Sequence, residues 1–303
     1  MKKILSIFSV SFALVFSSSA FANTIGVVYD SGGKFDKSFN ELAFNTAERV
    51  VNELGWGMIE FESANDNQIE QGMRKIADRG ATMIVGMGFA QADAVAAVSA
   101  DYPDIKFVAV DVCWVDDPNN KIYQACYKEH EGSFLVGMMA AMASKSGTIG
   151  FVGGMDIPLI RKFQGGYEQG AQYVNPDITV LANMTGTTNE AWNNPTKGAE
   201  LTKAQIDGGA DVVYQAAGGT GIGVLQAAAD AGIMGIGVDS NQNWMHPVNM
   251  LTSMLKRLDL TIFEQAKNVE SGRFESGINI LGLSEGMLGL SLIHISEPTR
   301  LIG

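Results

Sequence analysis

The stretch Thr24-Ile-Gly-Val-Val-Tyr-Asp30 is a short apolar run, rich in valine, that ends on an aspartate. The same arrangement recurs in Lys106-Phe-Val-Ala-Val-Asp111 and in Ile233-Met-Gly-Ile-Gly-Val-Asp239. Continuous apolar runs of this length are typical of strands that are covered on both faces, as in a parallel sheet. The three runs therefore predict an α/β fold built on parallel sheets.

Strand and helix patterns alternate along the chain from residue 23 onward. One series of strand–helix units ends near residue 127, and a second series of about equal length follows it. Repeated β-α-β units imply parallel sheets with right-handed crossovers. We therefore expect two similar lobes, each a parallel sheet flanked by helices, with a cleft between them that can enclose a small ligand.

The three strand-end aspartates are candidate ligand-binding residues. Ligands of parallel α/β sheets bind outside the carboxyl ends of the strands, where Asp30, Asp111 and Asp239 are expected to lie. Together they would offer hydrogen-bond acceptors to hydroxyl and amine groups, which suits a neutral, hydroxyl-rich molecule better than a phosphate. The alternative is that each aspartate only caps the next helix or shapes a turn.

Four further residues are candidates because of where they stand along the chain. Phe39 begins a predicted helix, where it can either stack on a flat ring or plug the loop beneath it. Trp192 lies in a polar loop with little core to fill, so it is a candidate second stacking face. Lys256 ends a strand and would offset repulsion among the carboxylates, unless it is a solvated surface lysine. Gly219 can bring backbone amides close to a ligand or serve only helix–sheet packing.

The charge balance excludes two classes of partner. The chain has 33 Asp and Glu against 21 Lys and Arg, a formal net charge of −12 at pH 7. So acidic a chain repels nucleic acid and anionic membrane surfaces.

The glycine-rich stretch 216–223 matches neither the dinucleotide fingerprint nor the phosphate loop, so no nucleotide cofactor is expected.

The cysteines are Cys113 and Cys126, on either side of a Pro118-Asn119-Asn120 turn. In an oxidising compartment they can form a disulfide; the alternative is two buried free thiols. Their spacing is not that of a zinc site, and His130 and His246 are isolated in the sequence, so no metal is expected.

Both ends of the chain are predicted to lie outside the folded protein. Lys2 and Lys3, the apolar run 4–16 and Ala20-Phe21-Ala22 are typical of a secretory signal peptide, residues 1–22, cleaved after Ala22. The run is too short to span a membrane. The residue directly after the cleavage point is Asn23 and not a cysteine, so we expect a periplasmic protein without a lipid anchor.

At the other end, Leu290-Ser-Leu-Ile-His-Ile-Ser-Glu-Pro-Thr-Arg300 resembles the translation of a transposon-derived sequencing adapter. We therefore expect residues 290–303 to be a non-native tail, against the alternative of a genuine divergent C-terminus.

Several motifs follow one another in an order that resembles the basic membrane protein family of ABC-transporter solute-binding proteins, whose best-understood members are purine nucleoside receptors. These motifs are Asp30–Asn40, Glu129–Gly137, Arg161–Gly170, Ala217–Gly221, Gly237–Gln242 and Thr252–Lys256. One departure is Phe35, which stands where many members have a second acidic residue.

The resemblance implies the two-lobe, type I periplasmic binding-protein fold. The first lobe would hold residues 23–127 with 240–254, and the second 128–239 with 255–289. Crossovers between the lobes would lie near Tyr127, Asp239 and Lys256.

The resemblance also implies roles for individual residues. Phe39 would stack on the base of a nucleoside, and Asn40 and Asp111 would bond its polar edge. Asp239 and Lys256 would hold the ribose hydroxyls.

Backbone groups of Gly219 would add hydrogen bonds to the ligand. Trp192 stands where related sugar binders place an aromatic residue, and Phe163 is its rival for the second stacking face.

The function implied is that of a monomeric receptor without catalysis or cofactor, which encloses a nucleoside and delivers it to an inner-membrane ABC permease. Within the binding class, riboflavin or a free sugar are alternative ligands. A different class is a secreted nucleosidase or glycosidase that would use two of the carboxylates as acid and base.

Overall fold

Two six-stranded sheets organise residues 23–63 and 65–291, the part of the chain that the computed structural model describes. The predicted signal peptide, residues 1–22, and residues 292–303 of the predicted non-native tail lie outside the described residues. In chain order the strands are β1 Thr24–Tyr29, β2 Gly57–Glu62, β3 Met83–Met87, β4 Lys106–Val110, β5 Ile122–Tyr127, β6 Thr148–Met155, β7 Thr179–Gly186, β8 Val212–Ala216, β9 Met234–Asp239, β10 Met250–Lys256, β11 Gly277–Leu281 and β12 Leu288–Leu290.

Helices connect most of these strands and cover both faces of each sheet. They are α1 Phe39–Leu54, α2 Ile69–Asp78, α3 Ala92–Asp101, α4 Glu129–Ala143, α5 Pro158–Val174, α6 Pro195–Asp207, α7 Thr220–Asp230 and α8 Leu258–Glu270. In the described part of the chain no helix is both long and apolar enough to span a membrane.

The order of strands is β2-β1-β3-β4-β5-β11 in the first sheet and β7-β6-β8-β9-β10-β12 in the second. Neighbouring strands pair in parallel throughout, except that β12 runs antiparallel to β10. The predicted fold class, an α/β protein of two lobes built on parallel sheets, is confirmed.

Burial on both faces explains why the central strands are continuous apolar runs. Successive side chains of a strand point to opposite faces of its sheet. In β1, Val27 packs in the apolar cluster on one face and Val28 in the cluster on the other, and both are fully buried. Because neither face meets water, no polar residue interrupts the run.

The strand pairing corrects two of the predicted lobe segments. Segment 240–254 was expected in the first lobe, but β10 pairs with β9 in the second sheet. Segment 255–289 was expected in the second lobe, but part of it belongs to the first: β11 pairs with β5 in the first sheet, and α8 packs against α1. An apolar run indicates a strand without indicating which sheet edge it will join, so the periodicity could not decide this.

The crossovers between the lobes follow from this pairing. The chain passes between the sheets after Tyr127, after Lys256 and after Leu281. The crossover predicted at Asp239 was wrong, because β9 and β10 are neighbours in the same sheet. The strand β12 was not predicted.

Cys113 and Cys126 are joined as a disulfide, with their Cα atoms 5.7 Å apart. The bond ties the segment that follows β4 to strand β5. Cys113 stands two residues after Asp111, so the bond attaches the chain beside this candidate ligand-binding residue to β5.

Reduction of this disulfide is expected to lower the free energy of unfolding by about 3 kcal/mol, because a short covalent loop restricts the unfolded chain. Urea unfolding with and without dithiothreitol measures the change. The double variant Cys113→Ser/Cys126→Ser should have the lower stability and show no response to the reductant. Equal stability of the oxidised protein and the double variant would contradict the prediction.

Candidate ligand-binding cleft

A cavity lies between the two lobes, where the carboxyl ends of strands from both sheets meet. The lobes contact each other around it; for example, the Asn189 side chain of the second lobe donates a hydrogen bond to Asp66 of the first. The cavity is lined by Asp30, Gly32, Asp36, Phe39, Gly88, Phe89, Asp111, Leu159, Ile160, Phe163, Trp192, Ala216, Ala217, Gly218, Val238, Asp239 and Lys256.

Most of the residues singled out from the sequence come together at this cavity. Those that line it are Asp30, Phe39, Asp111, Phe163, Trp192, Asp239 and Lys256. Two others, Asn40 and Gly219, do not line it.

Two of the strand-end aspartates have left-handed backbone conformations. The φ angle is +64° at Asp111 and +63° at Asp239. Non-glycine residues seldom adopt this conformation, and aspartate tolerates it better than most. Both carboxylates line the cavity at the ends of their strands, and strained backbone of this kind is frequent at ligand sites.

Asp30 is held in place by the loop that follows it. Its Oδ1 accepts hydrogen bonds from the Gly32 amide at 2.8 Å and from Asn40 Nδ2 at 2.5 Å. The Asn40 amide also donates to the Gly33 carbonyl, and its Oδ1 accepts a bond from the Asp30 amide. Asn40 is fully buried, so in this structure its side chain supports Asp30 from behind the cavity.

Asp36 is a cavity residue that the sequence analysis missed. Its carboxylate accepts hydrogen bonds from the backbone amides of Ser38, Asn40 and Glu41, and so caps the start of α1. Burial raises its pKa to about 8, and the nearby Asp30 charge adds to the increase while the amides oppose it. An aspartate just before a helical pattern is a recognisable capping signal, but it carries no indication of a cavity.

Lys256 is the cation at the centre of the cleft. Its Nζ lies 2.6 Å from Asp111 Oδ1 and 3.2 Å from Glu129 Oε1, and the side chain is 1 % exposed. Burial opposes its charge, but the carboxylates of Asp111, Glu129 and Asp239 outweigh that effect and raise its pKa. The alternative of a solvated surface lysine is therefore excluded.

Glu129 is a second residue that the sequence analysis did not single out. It is fully buried at the start of α4, at the first crossover, and it lies behind Lys256, outside the cavity lining. Its other carboxylate oxygen is 3.4 Å from Lys162 Nζ. Glu129 opens the motif Glu129–Gly137, but nothing in its local sequence distinguishes it from an ordinary glutamate at the start of a helix.

Carboxylates outnumber the buried cation, and this shapes the electrostatics of the cleft. Burial raises the pKa of Asp111 to about 6, although Lys256 opposes the increase. Burial likewise raises the pKa of Asp30, against the hydrogen bonds from Asn40 and Gly32. It also raises the pKa of Asp239, against the Lys256 charge and the Ser38 hydrogen bond. The cavity therefore presents strong acceptors to hydroxyl and amine donors and disfavours an anionic group.

Four aromatic residues complete the lining: Phe39, Phe89, Phe163 and Trp192. Lys256 Nζ lies 5.5 Å from the centroid of the Phe39 ring and 5.8 Å from that of Phe163. Trp192, 8 % exposed, packs against Gly154, where any side chain would collide with the indole. Phe163 and Trp192, considered as rivals for one stacking position, both line the cavity.

The lack of a side chain at Gly219 allows the two lobes to approach each other closely. A Cβ atom at this position would lie 2.8 Å from the Gly32 carbonyl oxygen of the opposite lobe. Its neighbour Gly218, with φ of +55°, is the glycine that lines the cavity. Among the described residues no group of three or more His, Cys, Asp or Glu side chains is arranged to hold a metal ion.

Two parallel-sheet lobes around a polar, aromatic-lined cavity are typical of a protein that encloses a small molecule. Comparison with known proteins leads to the same class. The chain belongs to the family described as ABC transporter substrate-binding protein, PnrA-like, whose model matches residues 23–300. The family's description is that of the substrate-binding component of an ABC transporter.

Individual relatives resemble the chain over most of its length. The chain is 33% identical to Basic membrane protein A2 of Borrelia garinii subsp. bavariensis, over 84% of this chain and 75% of the relative. It is 30% identical to the ABC transporter nucleoside-binding protein BmpA of Lactococcus lactis subsp. cremoris, over 90% and 83%. A solved ABC transporter solute-binding protein from Aeropyrum pernix K1 superposes with a TM-score of 0.82 at 31% identity, over 89% and 76%.

Proposed function

We propose that this protein binds a nucleoside, most favourably a purine nucleoside, in the cleft between its lobes and delivers it to an ABC permease in the inner membrane. The observation that carries the proposal is the buried group of Asp111, Asp239 and Lys256 beside the rings of Phe39 and Phe163. Carboxylates suit the hydroxyls of a ribose, and flat aromatic rings suit a base. The relative from Lactococcus, named as nucleoside-binding, supports the same ligand class.

The expected energetics are those of a tight receptor. Each aromatic stack and each buried hydroxyl–carboxylate bond contributes about 1–3 kcal/mol in a site that excludes water. After the cost of association, the sum corresponds to micromolar or tighter binding. A bare sugar would leave the rings of Phe39 and Phe163 without a flat partner, and this favours a ligand that has both a ring and hydroxyls.

Nucleosides are expected to raise the thermal midpoint of the purified mature protein. A ligand at about 100 times its Kd stabilises by about 2.7 kcal/mol, which corresponds to a shift of roughly 5–10 °C for a chain of this size. Thermal unfolding with inosine, guanosine and adenosine measures the shift. Ribose alone and free base alone should each give less, and a nucleoside monophosphate should bind poorly in the acidic cleft. No shift with any nucleoside would remove the assignment.

A nucleosidase is the second candidate, because the raised pKa of Asp36 is a property that a catalytic acid needs. The three amides that bond the Asp36 carboxylate favour a structural role for it. Incubation with inosine, followed by chromatography for free hypoxanthine, separates the two functions. A receptor returns the nucleoside intact, whereas turnover to the base would establish the enzyme.

A further inference from the structure

One short segment of the first lobe is hydrogen-bonded to the second lobe beside the cavity. Ser38 Oγ donates to Asp239 Oδ2 at 2.9 Å and also lies 3.1 Å from the Val238 carbonyl oxygen. The Lys37 carbonyl accepts bonds from Ser240 Oγ at 2.9 Å and from Gln242 Nε2 at 3.0 Å. We call the set Lys37, Ser38, Asp239, Ser240 and Gln242 the interlobe latch.

The latch is a polar network that reaches the cavity wall at Asp239 and otherwise lies behind it. Ser38 and Gln242 are both fully buried, and neither lines the cavity. Hydrogen bonds in such surroundings are costly to leave unmade, because the separated groups must find water or remain unpaired. Because each of these bonds joins one lobe to the other, separation of the lobes at this point would break them.

Gln242 connects the latch to the wall of the cavity. Its Oε1 accepts hydrogen bonds from the Val238 amide and from Gln215 Nε2, both at 2.9 Å. The Oε1 of Gln215 in turn accepts a bond from the amide of Ala217, a residue that lines the cavity. Lys37 of one lobe is thus linked, through two buried glutamines, to the loop that faces the ligand space of the other.

We propose that Ser38 and Gln242 are positioning residues, which make ligand affinity depend on lobe closure without touching the ligand. In the closed protein the Ser38 hydroxyl bonds Asp239 Oδ2 and so fixes the orientation of the carboxylate. The other oxygen, Oδ1, can then accept a hydrogen bond from a ligand hydroxyl. When the lobes part, Asp239 loses this donor, and Gln242 loses the carbonyl that it holds. The role of Asp239 toward a nucleoside rests on the proposed function, whereas the latch itself does not.

Ser38→Ala is expected to raise the Kd for inosine roughly tenfold, the loss that corresponds to one buried hydrogen bond to a charged group. The increase should arise mainly from faster dissociation, since the latch acts after encounter. Stopped-flow fluorescence measures both rate constants. Small-angle X-ray scattering of the ligand-free protein measures opening, and the variant should have the larger radius of gyration.

Thr46→Val is the matched control, because Thr46 is a buried residue of α1 whose hydroxyl bonds only the Leu42 carbonyl of its own helix. It should leave both the Kd and the radius unchanged. Ser240→Ala removes a different interlobe bond, the one from the half-buried Ser240 hydroxyl to the Lys37 carbonyl, and it repeats the test if Ser38→Ala does not fold.

The outcomes separate the latch from the identity of the ligand. If the wild-type protein binds no nucleoside but Ser38→Ala still increases the radius of gyration of the ligand-free protein, the latch is supported and the proposed ligand is wrong. If the wild type binds inosine and the latch variants change neither the dissociation rate nor the radius, the latch is overturned.

Discussion

Lys256→Met is expected to lower the free energy of unfolding by about 3–5 kcal/mol and to abolish nucleoside binding. Lys256 is the buried partner of Asp111 and Glu129, at 2.6 and 3.2 Å, and methionine would leave both carboxylates without it. Removal of one partner from a buried ionic group carries this cost. Asp111 would lose the cation at 2.6 Å, and Glu129 would keep the more distant Lys162 at 3.4 Å. Urea unfolding measures the stability, and calorimetric titration with inosine measures the binding.

The loss of stability should depend on pH. Without Lys256 the pKa of Asp111, which burial already raises to about 6, would rise further. A carboxyl with a raised pKa in the folded protein favours folding at low pH, and this contribution is lost as the pH rises through that pKa. The free energy of unfolding of the variant should therefore be closest to that of wild type near pH 5 and furthest below it near pH 8. A variant equally destabilised at both values would contradict this account.

Lys267→Met is the control for the loss of a lysine. Lys267 is paired with Glu264 on the exposed surface of α8, and its side chain is 42% exposed. An exposed ion pair contributes little, so this variant should lie close to wild type in stability and affinity at both pH values.

Asp239→Ala is expected to weaken nucleoside binding at least tenfold while the protein remains folded. The carboxylate lines the cavity at the end of β9, and its loss removes a charged acceptor for ribose hydroxyls, worth about 1–3 kcal/mol. Titration calorimetry measures the Kd, and circular dichroism checks the fold. Unchanged affinity would show that the ribose does not bind at Asp239.

Asp239→Asn separates the effect of losing the negative charge from the effect of straining the backbone. Asparagine tolerates the left-handed φ of +63° that alanine would strain, so it should be the more stable of the two variants. Its affinity should still fall below that of wild type, because the ionised acceptor is gone. Asp230→Ala, an aspartate that bonds Gln226 on the surface of α7, should leave binding unchanged.

Most of the secondary structure could be predicted because its causes are local. The apolar runs of β1, β4 and β9 reflect burial on both sides of a sheet, and the order of the elements follows from their alternation. The crevice at the strand ends is a property of parallel sheets in general, so Asp30, Asp111 and Asp239 could be placed at one site in advance.

Other features depended on contacts between distant segments. Asp36 and Glu129 have unremarkable neighbours in the chain, and only the fold brings one into the cavity and the other beside Lys256. Asn40 was assigned to the ligand by resemblance, whereas in the structure it holds Asp30.

By itself, then, the sequence determined the α/β class, the two series of units and the family, because each of these is written in periodicity or in local motifs. Tertiary structure alone decided that β10 joins the second sheet and β11 the first, and that Ser38 meets Asp239 across the cleft. The physical reason is that sheet-edge pairing and interlobe hydrogen bonds join residues up to about two hundred positions apart. Their formation depends on the shape of the whole molecule, which no local pattern contains.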